Sequence, residues 1–527
     1  MTILDTAPKG MIAGGLLSWA ADRFRDRVAL TCPDRDWRYI DLEVASNRFA
    51  NALIGLGLPT GTRVAVLMEN SAHAVICPFG IEKAGLAYVA LNARHALPEQ
   101  LDILNDCGAR VLVVSEAFFA VADEIQRAVG ADLLVIRYGD QSGDPMSYAS
   151  LVDAARDRAP AVTVPMTGVQ RIAYTSGTTG KPKGVVYSWG RLRTQLNNNF
   201  MAMEYALGVS DATLHLGPLT HASGVQLLPS YLRGARNVVP GSFDVERTLN
   251  VIAEQRITQM LVVPTMLRRL LEALDADPKA DMSSLVRLNY GTASTPAAMI
   301  EAALERFGPI LRQQYGMTEA IQPLSILYPH EHLDKGMPSP RIQSCGKPAA
   351  NVGIALHGSD DQPVAKGEVG EIVIAHDGIG EVRFWNRPEL EAQTIRGGWY
   401  YTGDLGRIDD DGYLYIVGRN KDMIISGGFN VYALEVEDAL RSNPAVYDCA
   451  VVGLPSAEWG ESVAAFIVAA PGEMPTTEAI RAHCKTLISG YKCPRLVQVV
   501  EDLPRNAAGK VLKDRLRASF LEEHGAE

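Results

Sequence analysis

A glycine- and hydroxyl-rich stretch between Tyr174 and Val185 has the composition of a loop that binds phosphate. Glycines allow successive backbone N–H groups to converge on an anion, and hydroxyl and ammonium groups add donors and positive charge. The stretch is not a Walker A loop, because Gly180-Lys181 is followed by Pro182 where that loop has Ser or Thr. We therefore predict a phosphate cradle of another type, with binding residues Thr175, Ser176, Gly177, Thr178, Thr179, Gly180 and Lys183.

A second candidate site lies where a predicted strand ends in Gln313-Gln314-Tyr315-Gly316-Met317-Thr318-Glu319. Open α/β sheets bind their ligands at the carboxyl ends of their strands. A carboxylate beside a hydroxyl, close to a phosphate loop, can hold Mg²⁺, which takes oxygen ligands and shares phosphate oxygens. Glu319 is therefore the candidate metal ligand, with Thr318 beside it.

Asp404 and Arg419, fifteen residues apart, form a third candidate site. A carboxylate accepts hydrogen bonds on two oxygens, which suits the vicinal hydroxyls of a ribose, and an arginine supplies matching donors. The pair follows the segment Trp399-Tyr400-Tyr401-Thr402-Gly403. Taken alone, Thr-Gly-Asp would be only a turn.

The elements that must position these residues alternate along the chain. Short β-branched runs such as Val111 to Val114 alternate with segments of helical period such as Thr265 to Leu274. This pattern is typical of α/β layers with largely parallel sheets. The character changes near residue 350, where antiparallel strands are predicted, and from about Lys421 a smaller unit of about a hundred residues begins. At 527 residues the chain exceeds the roughly 250–300 residues of a single core, so two or more domains are expected.

Composition excludes several classes of partner. The net charge of −11 disfavours nucleic acid and anionic membranes, so a phosphate-bearing ligand needs a local positive site. The seven cysteines are scattered without a C-x-x-C pair, which predicts reduced thiols rather than zinc or disulfides. The N-terminal residues lack the features of a signal peptide, and the apolar run Met11 to Leu17 is too short to span a bilayer. A cytoplasmic protein without an integral membrane segment is expected.

Taken in order, these motifs resemble those of the adenylate-forming superfamily, in particular its acyl-CoA synthetases. The resemblance spans nearly the whole chain and includes Gly85 to Arg94 and Asn105 to Val114. It implies an α/β protein with a large N-terminal domain of layered α/β sheets plus a small β-barrel-like part, followed by a small mobile C-terminal α+β domain. The implied boundaries are 1–420 for the AMP- and acyl-binding domain and 421–527 for the mobile domain. The implied cofactors are ATP, Mg²⁺ and coenzyme A.

The resemblance also implies roles for individual residues around the nucleotide. Tyr315 would stack on adenine, Thr318 would contact the α-phosphate and Glu319 would serve Mg²⁺. Asp404 and Arg419 would bind the ribose. The backbone of Gly291, Thr292 and Ala293 would line the adenine and acyl sites, and Gln314, Gly316 and Met317 would be further cofactor-binding residues.

The C-terminal unit is similar to the part of the family that swivels. Lys421 matches the hinge, and the Ser426, Gly427 and Gly428 backbone would pass close to a pantetheine arm. Lys510, in Pro504-Arg505-Asn506-Ala507-Ala508-Gly509-Lys510, matches the catalytic lysine. An ammonium group there would act where negative charge develops, as a carboxylate attacks phosphate and pyrophosphate leaves. Ala433 stands where the family usually has Pro.

Pro218 to Gly224 resembles the acyl-pocket segment of the family. Relatives that activate amino acids carry an aspartate at the position of His221, and a buried ammonium needs such an anion. We therefore expect no amino acid substrate, and His221 would lie beside the carboxylate, gate the acyl tunnel or pack structurally. Asn197 to Asn199 would place an amide in the pocket or face solvent. Tyr187-Ser188-Trp189 replaces the usual Ser/Thr-His, and no role is assigned to it.

The sequence is thus interpreted as an ATP- and Mg²⁺-dependent carboxylate–CoA ligase acting through an acyl-adenylate. The predicted acid is a medium- or long-chain fatty acid or an aryl or alicyclic carboxylic acid. Alternatives are transfer of the acyl group to a carrier-protein phosphopantetheine, luciferase-type oxygenation, and a non-catalytic nucleotide-binding module. The identity of the acid and the pathway stay open, as does the oligomeric state, a homodimer included.

Overall fold

The computed structural model describes residues 11–140, 143–176, 182–203, 207–376, 381–456, 458–505 and 510–524. Two large sheets dominate the chain up to about residue 350, and helices pack against them. The helices of this part are Gly15–Phe24, Tyr39–Gly55, His73–Lys83, Leu97–Cys107, Phe119–Val129, Tyr148–Asp153, Trp189–Met201, Ala222–Val225, Leu227–Leu232, Val245–Glu254, Pro264–Ala276 and Ala297–Phe307. None of the helices in the described ranges combines the length and the apolar character that a membrane span requires.

The first large sheet has six strands with a parallel centre. In spatial order the strands are Pro182–Ser188, Val169–Ser176, Ala87–Ala90, Arg63–Leu67, Val111–Ser115 and Leu134–Tyr138. The inner strands are apolar and buried because helices cover both faces of the sheet. Pro182–Ser188 pairs antiparallel with Val169–Ser176 at one edge. An edge position tolerates Pro182, which has no N–H to donate.

The second large sheet has nine strands. In order they are Lys347–Pro348, Ser325–Leu327, Leu311–Tyr315, Arg287–Gly291, Gln259–Val262, Ala212–Leu214, Arg236–Val238, Val28–Thr31 and Asp36–Arg38. Arg287–Gly291 and Leu311–Tyr315 are parallel neighbours, with Gly291 opposite Gln314. Their carboxyl ends therefore meet at one edge of the sheet. The predicted site segments that start at Gly291 and at Gln314 begin at this edge.

A five-stranded antiparallel sheet follows, where the sequence predicted a change of character. Its strands are Ile354–His357, Gly370–Ala375, Trp399–Ile408, Ile395–Arg396 and Leu414–Arg419, and the helix Pro388–Thr394 lies beside it. Asp404 and Arg419 stand opposite each other on paired strands. Two-stranded pairings complete this part of the chain, Met11–Ile12 with Thr163–Val164 and Leu333–Asp334 with Met337–Pro338, together with the 3₁₀ helices Glu116–Phe118, Pro329–Glu331 and Pro340–Gln343.

The C-terminal part begins after the 3₁₀ helix Asn420–Asp422 and has its own core. Its sheet contains, in order, Phe429–Tyr432, Met423–Ser426, Gly460–Ala469 and Val446–Ser456, with Leu496–Val499 pairing to Gly460–Ala469. The helices are Ala433–Arg441, Thr477–Leu487 and Lys513–His524. The mixed α/β architecture with large sheets and a small C-terminal unit is confirmed. The division at residues 420 and 421 stays a prediction.

All seven cysteines lie in described ranges, and each is buried and free. Burial raises the pKa of the thiols of Cys77, Cys345 and Cys449. These thiols therefore stay protonated and unreactive at neutral pH.

Candidate active site

A carboxylate, an ammonium and a hydroxyl meet at the open end of the edge strands. Lys183 stands opposite Thr175 in the strand register, so both side chains approach the turn that carries Glu319. Lys183 Nζ lies 2.7 Å from Glu319 Oε1, and Thr175 Oγ1 lies 3.4 Å from the same oxygen. Burial acts to raise the pKa of the Glu319 carboxyl, but the charge and hydrogen bond of Lys183 outweigh it and leave the pKa below its ordinary value. Glu319 is therefore held in its ionised form.

The predicted phosphate loop lies between these two strands. Thr175 and Lys183 flank it and are described, as is the backbone of Ser176 at the strand end. Gly177, Thr178, Thr179 and Gly180 lie outside the described residues. Their role as a phosphate cradle stays a prediction. Lys183 and Thr175 beside them would add a cation and a hydroxyl group to such a cradle.

Asp404 is buried and accepts a hydrogen bond on each carboxylate oxygen. Tyr315 Oη donates to Asp404 Oδ2 over 2.8 Å, and Arg419 Nε lies 2.9 Å from Asp404 Oδ1. Gly403, just before Asp404, has φ 76°, a left-handed conformation that glycine adopts without strain. The predicted Asp–Arg pair therefore forms, and Tyr315 is joined to it through its hydroxyl group.

The ends of the two parallel strands pack too closely for larger residues. A Cβ at Gly291, whose φ is 152°, would stand 2.4 Å from the carbonyl oxygen of Gln314. Thr292 follows with φ 69°, a conformation uncommon outside glycine. Thr292 and Ala293 are exposed, so this strained backbone lies at the surface of the site. Backbone strain of this kind clusters at binding sites.

The remaining residues of the Tyr-Gly-Met-Thr-Glu segment continue from this edge. Gln314 Nε2 donates to Asn289 Oδ1 over 2.9 Å, which fixes the side chain on the neighbouring strand. Gly316 is exposed, and a Cβ there would meet the Gln322 side chain at 2.9 Å. Met317 packs at the edge of the core beneath the five-stranded sheet. The segment is thus held by the Gln314 hydrogen bond before Gly316 and by the packing of Met317 after it.

These groups and Lys510 form one electrostatic cluster. The Arg419 guanidinium contributes to the lowered pKa of Glu319, although Arg419 is paired with Asp404. Lys510 has solvent-accessible surface, yet protein surrounds enough of it that partial loss of hydration, together with the charge of Arg419, lowers its pKa to about 8. The negative charge of Asp404 raises the pKa of Lys510. The ammonium group therefore lies within electrostatic range of the Asp–Arg pair.

The chain on each side of Lys510 is tied to the C-terminal sheet. Arg505 and Val511, which precede and follow the lysine in the sequence, form an antiparallel bridge. Arg505 is paired with Asp448, and Lys513 Nζ lies 2.7 Å from the buried Glu437. Arg441 lies beside both acids, 3.3 Å from Glu437 and 4.0 Å from Asp448. Arg505 and Lys513, on either side of Lys510 in the sequence, are therefore paired with two acids that both contact Arg441.

The predicted hinge and pantetheine segment lie at the start of the C-terminal part. Lys421 is half exposed, in the 3₁₀ helix Asn420–Asp422, and its Nζ lies 3.8 Å from Asp514. Gly427 and Gly428 form a two-residue hairpin turn, with φ values of 59° and 80°. Such turns require positive φ at both positions. Ser426 is buried and accepts a hydrogen bond from Arg495 over 3.0 Å.

His221 immediately precedes the short helix Ala222–Val225 in the predicted acyl segment. Burial lowers the pKa of His221, and the nearby His95 and Arg94 lower it further. Its Nδ1 forms a hydrogen bond of 2.8 Å with Thr220 Oγ1, and the lowered pKa favours the neutral ring at neutral pH. A Cβ at Gly224 would stand 1.9 Å from the carbonyl oxygen of Leu219, so only glycine fits this turn.

The structure also gives contacts to residues whose role the sequence left open. Asn197 is exposed, whereas Asn198 and Asn199 are buried and donate to the carbonyl oxygens of Pro323 and Gln322 over 2.8 and 3.3 Å. Tyr187 donates to the Thr318 carbonyl oxygen over 2.7 Å. The partners lie more than a hundred residues away, so sequence spacing carried no signal for these contacts.

Comparisons with known proteins agree with this arrangement. The sequence model of the AMP-binding enzyme family matches residues 17–381, and that of the AMP-binding enzyme C-terminal domain matches residues 435–510. A feruloyl-CoA synthase from Amycolatopsis sp is 34% identical over 96% of this chain and 99% of its own length. The medium/long-chain-fatty-acid–CoA ligase FadD8 of Mycobacterium tuberculosis is 33% identical over 97% of this chain and 90% of its own.

A solved structure, that of the anthranilate CoA ligase AuaEII in complex with anthranoyl-AMP, has the same fold. It superposes with a TM-score of 0.86 at 29% identity and covers 98% of this chain and 99% of its own. The agreement extends over both parts of the molecule. The chain therefore belongs to the AMP-binding enzyme family, within the acyl-CoA synthetases of the adenylate-forming superfamily, and is an AMP-forming acid–thiol ligase.

Proposed function

We propose that this enzyme joins a medium- or long-chain fatty acid, or an aryl or alicyclic carboxylic acid, to coenzyme A in two half-reactions. In the first, a carboxylate oxygen of the acid forms a bond to the α-phosphorus of ATP, and the bond to the pyrophosphate oxygen breaks. In the second, the thiolate of CoA attacks the acyl carbon, and AMP leaves. The observation that carries the proposal is that the Lys183–Glu319 pair, the Asp404–Arg419 pair and Lys510 lie within electrostatic range of one another.

In the first half-reaction, one group of residues binds the nucleotide and the lysines stabilise its negative charge. Asp404 and Arg419 hold the ribose hydroxyl groups, and Thr318 contacts the α-phosphate. Lys510 stabilises the negative charge that develops as pyrophosphate leaves, a type of interaction whose loss costs several kcal/mol in mutagenesis. Lys183 adds a second cation, which counters the repulsion that the net charge of −11 imposes on a nucleotide.

The donor set around Glu319 suits Mg²⁺. Glu319 is a buried carboxylate whose pKa is lowered, and Mg²⁺ prefers such ionised oxygen ligands and shares the remainder with phosphates. Glu319 would hold the ion, which would neutralise phosphate charge. In the described parts of the chain no group of three or more His, Cys, Asp or Glu forms a metal site without a nucleotide. Binding of the ion together with the phosphates of ATP fits that finding.

The second half-reaction uses the other face of the C-terminal part. Rotation about Lys421 withdraws Lys510 and brings the hairpin Ser426–Gly428 to the acyl-adenylate, where the glycines let the pantetheine arm approach the backbone. In the present arrangement Lys510 lies near Asp404, and Arg268 donates to the Tyr447 carbonyl oxygen across the two parts. This arrangement corresponds to the first half-reaction.

The acyl segment disfavours a positively charged acyl group. His221 is neutral, and His95 and Arg94 beside it are unsuited to an ammonium ion. Ala222, Ser223 and Gly224 are small and leave room for an alkyl chain or a ring. Relatives named for ferulate and for medium- and long-chain fatty acids fit this range of acids.

A substrate screen tests the proposal. Release of AMP should be followed with ATP, Mg²⁺ and CoA against short, medium, long, aryl and alicyclic acids. We expect turnover with one of the last four groups and none with amino acids. Turnover with holo-carrier proteins but not with free CoA would instead identify a carrier-protein ligase. The absence of acid-dependent pyrophosphate release with every acid would contradict adenylation itself.

A further inference from the structure

Two buried side chains converge on a single carbonyl oxygen behind the candidate metal ligand. Tyr187 Oη and Arg191 Nη2 donate to the Thr318 carbonyl oxygen over 2.7 and 2.8 Å. Both donors are 3% exposed. A carbonyl oxygen has two lone pairs, so these two bonds satisfy it completely.

The two donors are themselves held rigidly. The Tyr187 ring lies between two guanidinium groups, with Arg171 4.1 Å and Arg191 4.0 Å from the ring centroid. Arg191 also donates through Nη1 to the Val186 carbonyl oxygen over 3.1 Å. The stack Arg171–Tyr187–Arg191 is therefore fixed to the edge strand that carries Lys183.

This stack sets the direction of the peptide group between Thr318 and Glu319. A peptide unit is planar, so fixing its oxygen also fixes its N–H and the Cα of the next residue. The carbonyl oxygen points to the stack, and the Glu319 carboxylate extends to Lys183 and Thr175. Glu319, which would hold the metal, is thus oriented by groups that bind the preceding carbonyl oxygen and not its own carboxylate.

We propose that Tyr187 and Arg191 are positioning residues, which hold the Thr318–Glu319 peptide so that Glu319 and Thr318 meet the metal and the α-phosphate in the adenylation half-reaction. This inference rests on the proposed function. It assigns a task to a segment in which this chain departs from the usual Ser/Thr-His pattern.

The test compares two tyrosines in matched environments. Tyr187→Phe removes a buried hydroxyl group that bonds to a backbone carbonyl oxygen. Tyr39→Phe does the same at a distant site, where Tyr39 Oη donates to the carbonyl oxygens of Tyr231 and Ala235 over 2.9 and 3.1 Å. Both variants should lose a comparable amount of stability, since the lost bonds are alike.

Only Tyr187→Phe should change adenylation. We expect kcat for pyrophosphate release to fall about tenfold, the cost of about one such hydrogen bond, and half-saturation by Mg²⁺ to need severalfold more metal. Thioester formation from supplied acyl-adenylate should be unchanged. Arg191→Lys cannot bond to both the Val186 and Thr318 carbonyl oxygens in the same geometry, so it should also slow adenylation and leave thioester formation unchanged. This second variant keeps the inference testable if Tyr187→Phe misfolds.

Adenylation rates and Mg²⁺ dependence of Tyr187→Phe within twofold of those of Tyr39→Phe would overturn the inference. Equal slowing of both half-reactions would also overturn it, since it would show a general structural role. If the wild-type enzyme released no pyrophosphate with any acid, the proposed function would fail first and the inference with it.

Discussion

Raising the pH through 8 should slow the first half-reaction by neutralising Lys510. Partial loss of hydration, with Arg419 second, lowers the pKa of this lysine to about 8, from 10.5 for an ordinary lysine. Only the protonated form can stabilise departing pyrophosphate. Because the shift is downward, the charge is present at low pH and is lost as the pH rises through the folded-state pKa.

The size of the effect follows from this pKa. One pH unit above it, about a tenth of the lysine is protonated, so kcat/KM for ATP should fall about tenfold between neutral pH and about pH 9. The ratio kcat/KM reports the free enzyme, in which phosphates do not yet raise the pKa. A lysine of ordinary pKa would leave the rate flat over this range.

The assay measures the two half-reactions separately across pH. Pyrophosphate release in single turnover reports adenylation, and thioester formation from supplied acyl-adenylate reports the second step. Lys510→Ala should abolish the basic limb and lower adenylation by two or more orders of magnitude, as for other groups that act on developing charge, on the order of several kcal/mol. Lys366→Ala, which removes an exposed lysine paired with Asp410, is the matched control. A flat adenylation profile to about pH 9.5, or the same limb in both half-reactions, would refute the reasoning.

Three further outcomes are expected. Lys421→Pro fixes φ at the hinge and should slow thioester formation while sparing pyrophosphate release; a normal rate with CoA would count against a hinge at this residue. Gly224→Ala puts a Cβ 1.9 Å from the Leu219 carbonyl oxygen, so denaturant midpoints should report a loss of about 2 kcal/mol or more, with a raised KM for the acid. Burial lowers the pKa of His73 to about 4, so the unfolded chain, with a pKa of about 6.5, binds the extra proton between these values. Stability should therefore decline by up to about 3 kcal/mol as the pH falls from about 6.5 to about 4, and His73→Phe should remove that component of urea-unfolding curves.

Much of the fold followed from local patterns. The predicted strand Val111 to Val114 and the helical segment Thr265 to Leu274 correspond to Val111–Ser115 and Pro264–Ala276, because buried parallel strands and covering helices differ in hydrophobic period. The strand Pro182–Ser188 was not predicted, since Pro182, Lys183 and Gly184 have low strand propensity. It forms because it pairs along its whole length with Val169–Ser176.

Motif order also predicted the main groups of the site. Asp404 and Arg419 are paired, and Glu319 meets Lys183, which follows the predicted phosphate loop in the sequence. The hydrogen bond from Tyr315 to Asp404 was not foreseen, because the sequence suggested only a role for the ring. The assignments to ribose, adenine and metal stay predictions.

The sequence by itself determined the type of each chemical group and the segment that carries it, since glycine, carboxylate, hydroxyl and ammonium groups have fixed chemistry wherever they stand. Only the tertiary structure decided which of these groups meet. The Thr318 carbonyl oxygen is held by Tyr187 and Arg191, more than a hundred residues earlier, and Lys510 has its lowered pKa because folding partly removes it from water and brings it near Arg419. Hydrogen bonds and pKa shifts depend on distances of a few ångströms, and those distances are set by packing between elements that are remote in the chain.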